Sequence, residues 1–180
     1  MVKISERKSE VQIPENVQIS LDRYLLKVKG PKGEVERDFS NPRFKIEKKD
    51  HSIIVLPSDK KTSKQDKMYI NTTVSHIKNM IKGVLEGYQA KLKICSGHFP
   101  MSVSTDTKEV LIKNYLGEKV PRKATIIKGV SIKIDGEIIT LTGCDIEQVG
   151  QAAARIEHAC RIKNRDLRLF QDGIWILENK

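Results

Sequence analysis

The sequence contains few cysteines and no long hydrophobic run. Its three cysteines, Cys95, Cys144 and Cys160, are odd in number and widely spaced, which argues against a disulfide framework and fits a reducing compartment. No apolar run approaches the roughly 18 residues that a membrane-spanning helix needs, and the first ten residues lack the apolar core of a signal peptide. We therefore expect a cytosolic protein.

Aromatic residues are also scarce, whereas positive charge is abundant. One Trp, four Tyr and four Phe do not form an obvious array of platforms for single-stranded bases. Lys and Arg number 33 against 23 Asp and Glu, and the formal net charge of +10 favours a polyanionic partner. A membrane surface would need these cations on one polar helical face, but they are interleaved with predicted strands and turns. Folded RNA is therefore the preferred partner, and no membrane partner is expected.

Patterns typical of catalytic and metal sites are missing from the sequence. It contains neither a glycine-rich phosphate-binding motif nor a nucleophile elbow. Cys95 and His98 have the spacing C-x-x-H, but no second ligand pair with matching spacing comes after them. A small hydrolase using His98 or His76 would need a partner base or nucleophile, which nothing in the sequence indicates. We expect no enzymatic activity, no metal and no cofactor.

Two stretches of the chain alternate apolar and polar residues in the same order. Residues 11–30 predict a hairpin with a turn near Asp22, and residues 129–143 predict a second hairpin. Eight similar positions lie 113 residues apart without a gap, which suggests an internal duplication. The alternative is chance similarity, because alternating strands resemble one another. The pairs are Val17 with Val130, Ile19 with Ile132, Leu21 with Ile134, Asp22 with Asp135, Leu25 with Ile138, Leu26 with Ile139, Val28 with Leu141 and Gly30 with Gly143.

Each hairpin is followed by a segment with the periodicity of an amphipathic helix. Gly87 is placed to end the first helix, while Asp145 can cap the second, with Gln148 at the capping-box position. The predicted buried stripe of the first helix is Ile70, Val74, Ile77, Met80, Ile81, Val84 and Leu85. That of the second helix is Ile146, Val149, Ala152, Ala153, Ile156 and Cys160.

The remaining segments predict short strands and turns. Strands are expected at residues 35–39, 44–46, 51–56, 88–95 and 109–115, with residues 97–107 turning the chain before the last of these. A boundary near Gly87 would divide the protein into domains of residues 1–87 and 88–180. The predicted fold class is α+β, with two similar tandem domains from internal duplication. Each is an antiparallel-rich β-sheet with one main helix packed on one face.

Basic residues concentrate in two segments of the second half. In the segment 113–133 the only acid is Glu118, and the segment 161–168 lies directly after the second helix. Such segments can grip phosphates through guanidinium forks, and the alternative is a solvated, lysine-rich surface. Two basic segments in one half favour binding. The candidate RNA-binding residues are Lys113, Lys119, Arg122, Lys123, Lys128, Arg161, Lys163, Arg165 and Arg168.

A third basic segment, residues 58–67, lies before the first helix. It contains Lys60, Lys61, Lys64 and Lys67. A solvated loop or helix entry is the safer interpretation, and a second RNA contact is the alternative.

Six segments occur in the order in which they are found in a known family. They are IPENVQISL (13–21), VKGPKGEVERDF (28–39), HIKNMIKGVLEGY (76–88), GHFP (97–100), IKNYLGEK (112–119) and KNRDLRLFQDGIWI (163–176). Together they resemble the large-subunit ribosomal protein family called L-six in bacteria and L-nine in eukaryotes, and the eukaryotic and archaeal branch fits best. The similarity runs from about Ile13 to Glu178. Trp175 stands where an aromatic residue, generally Tyr, is usual.

The resemblance implies a duplicated α+β protein that is a structural component of the large ribosomal subunit. It implies docking, mainly through the second domain, on ribosomal RNA near the sarcin-ricin loop. Neighbouring large-subunit and stalk-base proteins would be partners, with translational GTPases nearby. The location would be the cytoplasmic ribosome, with a nucleolar stage during assembly if the cell is eukaryotic. The implied phosphate contacts are Lys119, Arg122 and Lys123 near the NYLGEK turn, and Lys163, Arg165 and Arg168 after the last helix.

A function of another class is compatible with the same strands. A free adaptor could bind a protein through exposed sheet edges, its charge serving only solubility. Salt would separate the two functions, because RNA association should fall steeply as ionic strength rises. A single RNA-gripping surface also requires Lys119 and Arg122 to lie on the same side of the domain as Arg165 and Arg168.

Overall fold

The computed structural model describes residues 9–49, 51–58, 63–106 and 109–179. The chain divides into two compact units, one up to Glu86 and one from Gly87. Each unit combines antiparallel strands with one main helix. The predicted α+β class and the internal duplication are confirmed.

In the described part of the first unit, six strands form two three-stranded antiparallel sheets. One sheet is a meander of β2 (Gln18–Asp22), β3 (Leu25–Gly30) and β4 (Gly33–Asp38). The other, in the order β1-β6-β5, consists of β1 (Ser9–Gln12), β5 (Phe44–Lys49) and β6 (Ser52–Pro57). The strands β4, β5 and β6 match the three short strands predicted from the alternation, with ends that differ by at most three residues.

The helix α1 (Lys64–Leu85) packs against both sheets of this unit. Ser63 and Asp66 form a reciprocal capping box, in which each side chain accepts a hydrogen bond from the other residue's amide. Of the predicted stripe, Val74 and Leu85 are only half-buried, and the rest is buried. The helix thus begins inside the third basic segment. Lys64 and Lys67 are exposed in its first turn, whereas Lys60 and Lys61 lie outside the described residues.

Among the residues that the structure describes in the second unit, seven strands form a meander and a larger sheet. The meander consists of β8 (Ser102–Thr105), β9 (Glu109–Lys113) and β10 (Arg122–Thr125). The four-stranded sheet, in the order β11-β12-β7-β13, consists of β7 (Tyr88–Cys95), β11 (Val130–Asp135), β12 (Ile138–Gly143) and β13 (Gly173–Asn179). The prediction that residues 97–107 only turn the chain is wrong, because the short β8 lies there. β8 has no fully buried residue, so its alternation in the sequence is weak.

The helix α2 (Ile146–Ala159) begins at Asp145, whose carboxylate accepts the amide hydrogen of Glu147 at 2.9 Å. Val149, Ala152, Ala153, Ile156 and Cys160 are buried as predicted. Ile146 is not, because it occupies the first turn and remains 36% exposed. The buried face packs on strand residues of both sheets, so the core of this unit lies between the helix and the strands.

The register of the duplication differs from the predicted one. β5 and β11 lie 86 residues apart, as do β6 and β12, and Phe44 pairs with Pro57 as Val130 pairs with Gly143. Both hairpins are followed by their unit's helix, and each is preceded by a three-stranded meander, β2-β3-β4 in the first unit and β8-β9-β10 in the second. The offset of 113 residues therefore aligned hairpins from two different sheets. It was misleading because both hairpins join alternating strands by a two-residue turn, in which Arg23 and Gly136 each have a positive φ, 54° and 59°.

Candidate nucleic-acid interface

The segment between α2 and β13, residues 161–171, is a loop that we call the basic loop. Its four cations, Arg161, Lys163, Arg165 and Arg168, are all exposed, and Asp166 is its only acid. Asp166 shapes the loop, since its carboxylate accepts the amide hydrogen of Arg168 at 2.9 Å. Its carbonyl also accepts the amides of Leu169 and Phe170. The four cations are thus displayed on a hydrogen-bonded turn.

One buried hydroxyl closes the base of the basic loop. The side chain of Tyr115 is 1% exposed, and its hydroxyl lies within hydrogen-bond distance of the carbonyls of Cys160 and Asp172, where it can donate to either. Burial raises the pKa of Tyr115 to about 12, so the hydroxyl keeps its proton at neutral pH. The two ends of the loop are therefore held together, as in the compact Ω-loops of other proteins.

Arg122 joins the first basic segment to the basic loop. Its Nη1 donates to the carbonyls of Ala159 at 2.9 Å and Arg161 at 3.1 Å, which satisfies acceptors at the end of α2. Its Nε and Nη2 donate to the carboxylate of Glu118 at 2.8 and 2.6 Å. The guanidinium carbon also lies 4.1 Å from the centroid of the Tyr115 ring. Through its four hydrogen bonds to Glu118, Ala159 and Arg161, the side chain of Arg122 positions the basic loop.

The charges around this joint reinforce one another. The hydrogen bond from Arg122 lowers the pKa of Glu118 and, in return, raises that of Arg122. The charge of Arg165 lowers the pKa of Glu118 further. Arg122 and Arg165 therefore both act on the Glu118 carboxylate, and Arg122 links the turn at Glu118 to the start of the basic loop.

A second anchor holds the far end of the basic loop. The carboxylate of Asp172, buried at 3% exposure, accepts hydrogen bonds from the amides of Gly97 and His98 and lies 2.9 Å from His98 Nδ1. Burial opposes the charge of Asp172, but these donors outweigh it and hold the pKa of the carboxyl below its usual value.

Aromatic rings extend this anchor toward the loop cations. The imidazole of His98 lies 4.9 Å, centroid to centroid, from the ring of Phe170. The guanidinium carbon of Arg165 lies 4.8 Å from the centroid of the same Phe170 ring. Arg165 is exposed, but its position is held by the Phe170 ring, which itself lies against the imidazole of His98.

The other predicted cations lie on the meander and its connections. Lys123, on β10, forms an ion pair of 3.2 Å with Glu109. Lys113 is exposed at the end of β9, and Lys119 is exposed after the turn at residues 115–117. Lys128 is exposed in the connection between β10 and β11.

Sequence reasoning missed the roles of Tyr115, His98 and Asp172 in holding the loop. Tyr115, His98 and Asp172 have no local signature, because their partners lie 45 to 75 residues away in the chain. The available signal was indirect: Tyr115 and Asp172 both belong to segments that carry the family resemblance.

Neither a metal cluster nor a membrane span is found in the described part of the chain. Among those residues, no group of three or more His, Cys, Asp or Glu side chains could hold a metal ion. Within the same ranges, no helix combines the length and apolar character required to span a bilayer.

Comparison with known proteins identifies the family. The model of the family "Ribosomal protein L6" matches residues 13–87 and 99–173, two repeats in the 86-residue register of the strands. The large ribosomal subunit protein uL6 of Staphylothermus marinus is 46% identical over 181 residues, covering 99% of this chain and 97% of that protein. That of Methanosarcina mazei is 42% identical over 175 residues, covering 97% and 98%, respectively. The resemblance predicted from the sequence is confirmed, and the chain belongs to the ribosomal protein L6 family.

Proposed function

We propose that the chain is a structural constituent of the large ribosomal subunit that binds ribosomal RNA through the basic loop of its second unit. Its family is structural and non-enzymatic, and the similar proteins are named as large-subunit proteins. The observation that carries the RNA contact is the bonding of Arg122, which attaches the basic loop to the turn at Glu118. Four exposed cations thereby stand on a fixed scaffold.

Fixed cations suit a folded polyanion. Each phosphate that a Lys or Arg neutralises releases condensed counterions, so several cations in one place bind a phosphate backbone strongly. A loop held in advance by Tyr115, Arg122 and Asp172 loses less conformational entropy on binding than a free tail would. The expected contacts are to phosphates, with Arg165 and Arg168 at the centre. Arg122 takes the role of a positioning residue.

We further infer the region of the RNA from the resemblance. The NYLGEK turn and the KNRDLRLFQDGIWI segment are the motifs through which the second domain would dock near the sarcin-ricin loop. Here the Tyr115 hydroxyl of the first motif lies within hydrogen-bond distance of the Asp172 carbonyl of the second, which brings these two motifs together. The neighbours would then be stalk-base proteins, with translational GTPases binding nearby.

A charge-reversal pair tests the site. Arg165→Glu combined with Arg168→Glu should abolish incorporation into large subunits, measured by sucrose-gradient sedimentation, while the purified protein keeps its thermal unfolding midpoint. The matched control reverses Lys45 and Lys49, which are exposed on β5 of the first unit. Equal loss in both double variants would show that total charge, not the basic loop, governs incorporation.

Salt dependence separates RNA binding from the adaptor function. RNA held by several phosphate contacts should dissociate steeply as salt rises, with a slope of about 0.7–0.9 per neutralised phosphate in a logarithmic plot. Pairing of a protein strand with a sheet edge relies on backbone hydrogen bonds and should be less sensitive. A flat salt profile for subunit association would favour the adaptor.

A further inference from the structure

Exposed apolar side chains lie within the basic loop and next to it. Leu167 is 64% exposed, Leu169 is 69% exposed and Trp175, on β13, is 47% exposed. With His98 and Phe170 they line a groove of about 660 Å³, which we call the indole groove. Leu167 and Trp175 also line a smaller neighbouring groove of about 300 Å³, together with Arg161.

The indole of Trp175 is placed by the backbone beneath it. A Cβ atom built on Gly173 would lie 3.3 Å from both Nε1 and Cε2 of the indole, so the absence of a side chain there lets the ring lie on the chain. On the neighbouring strand, Lys93 is the residue paired with Trp175. The indole is therefore a supported ring with about half of its surface open to a ligand.

Two cations lie beside these grooves. Arg165 lies on the ring of Phe170, which lines the indole groove, and Arg161 lines the smaller groove. The groove thus combines an open aromatic surface with flanking positive charge. This combination matches a nucleotide, whose base stacks on aromatic rings while its phosphates pair with basic groups. An apolar peptide segment would match the ring and the leucines but not the guanidinium groups.

We propose that the indole groove binds one unpaired base of the RNA whose phosphates contact the basic loop. The proposal rests on the RNA-binding function proposed above and adds a stacking site to it. The chain has a single Trp, so this is a site for one base displaced from a folded RNA, not a platform for a single strand. Stacking tolerates any base, because every base has a π-face.

Intrinsic fluorescence tests the proposal directly, because Trp175 is the only tryptophan. The probes are an RNA hairpin with one bulged adenine and the same hairpin with that adenine paired. Both should bind, and only the bulged hairpin should quench the indole. Trp175→Leu should weaken binding of the bulged hairpin about tenfold and leave the paired hairpin unchanged. Trp175→Tyr, which retains a stacking ring, should restore most of the affinity.

The outcomes distinguish the two proposals. If both hairpins bind but the Trp175 fluorescence is quenched by neither of them, or equally by both, the stacking site is wrong. The phosphate interface is then retained. If neither hairpin binds, the RNA-binding function fails and the stacking site fails with it. Arg165→Gln combined with Arg168→Gln should weaken both hairpins equally. An equal effect of Trp175→Leu on both hairpins would assign Trp175 to general loop structure.

Cross-linking in assembled subunits identifies the occupant. A photoreactive p-benzoylphenylalanine in place of Trp175 should cross-link to a ribosomal RNA nucleotide after incorporation into large subunits. A cross-link to a protein segment alone would overturn the base-binding site in favour of a peptide. Normal incorporation with no RNA cross-link would also overturn it while leaving the basic loop as the RNA contact.

Discussion

The two units share a plan of two sheets and one helix but differ in the length of that helix and in the segment that completes it. In the first unit α1 has 22 residues, whereas in the second unit α2 has 14 and leads into the basic loop. In the 86-residue register, residues 160–171 correspond to residues 74–85, the last turns of α1. The same part of the repeat is thus an amphipathic helix with one buried face in one copy and the candidate RNA surface in the other.

The charges in the second copy explain why its helix is shorter. Ile77 is fully buried in α1, and its counterpart in the second unit is Lys163. Met80, also buried, corresponds to Asp166. A continued helix would bury both charges against the sheet at a cost of several kcal/mol. The helix instead ends at Ala159, and the chain leaves it with Asn164 at a φ of 57°.

Net charge does not distinguish the two units. The chain has 18 basic and 12 acidic residues up to Glu86, against 15 and 11 from Gly87 onward. The first unit is therefore slightly more positive, yet lysines on its meander can pair with acids, as Lys27 does with Glu36 at 3.0 Å. The basic loop has four cations and one acid. The local arrangement of charge, and not its sum, favours the second unit as the RNA contact.

The largest predicted effect comes from placing a lysine in α1 at residue 77, the position that corresponds to Lys163 of the second unit. Ile77→Lys places an ammonium group at a fully buried position and should destabilise the first unit by about 4 kcal/mol or more. Chemical denaturation and far-UV circular dichroism would measure the loss. Lys78→Ala, on the exposed neighbour, should change stability by less than about 0.5 kcal/mol. A stable, fully helical Ile77→Lys protein would contradict our explanation of the shorter helix.

Removing the hydroxyl that closes the basic loop should have the next largest effect. Tyr115→Phe leaves the carbonyls of Cys160 and Asp172 without this donor and should cost about 1–3 kcal/mol in the second unit. Hydrogen exchange should become faster in residues 160–172 and remain unchanged in the first unit. Tyr24→Phe, at an exposed tyrosine of the first unit, is the control. Unchanged exchange in the loop would show that Tyr115 does not hold its ends.

A smaller effect distinguishes positioning from phosphate binding at Arg122. Arg122→Lys keeps the charge but loses the forked bonds to Glu118 and the helix end, and should cost about 1 kcal/mol. RNA affinity should fall together with faster amide exchange in the basic loop. Lys45→Arg, at an exposed position on β5 of the first unit, also keeps its charge and should change neither quantity. If Arg122→Lys preserved loop protection and RNA affinity, Arg122 would be only a source of charge.

The smallest predicted effect is the acid sensitivity of the second anchor. The pKa of Asp172 is lower in the folded protein than its usual 3.8, so its ionised form stabilises the fold above that value. This contribution is lost as the pH falls through the folded-state pKa. Urea unfolding measured between about pH 5 and pH 3 should therefore show less acid destabilisation in Asp172→Asn than in the unchanged protein. The same pH dependence in both proteins would exclude Asp172 as a source of acid sensitivity.

Much of the fold could be predicted from periodicity alone. The strand over residues 88–95 and both hairpins were predicted from alternation, and the two helices from the three-and-four spacing of their apolar residues. The errors have physical causes. β8 is too exposed to show a clear pattern, and Ile146 is on the apolar stripe but in a first turn that lies partly outside the core. The 113-residue offset matched hairpins of different sheets, because two-residue turns between alternating strands look alike.

The sequence by itself determined the local elements, the presence of a duplication and the concentration of cations after the second helix. Only the tertiary structure decided which hairpins of the two units correspond to each other. It showed as well that Arg122 forms hydrogen bonds with other residues of the second unit. It also decided that Tyr115 and Asp172 close the basic loop. These features depend on contacts between residues 37 to 75 positions apart, for which the chain has no local pattern. The periodicity of a segment predicts which residues of that one helix or strand are buried. A binding site, in contrast, is formed by residues of several elements that the fold brings together.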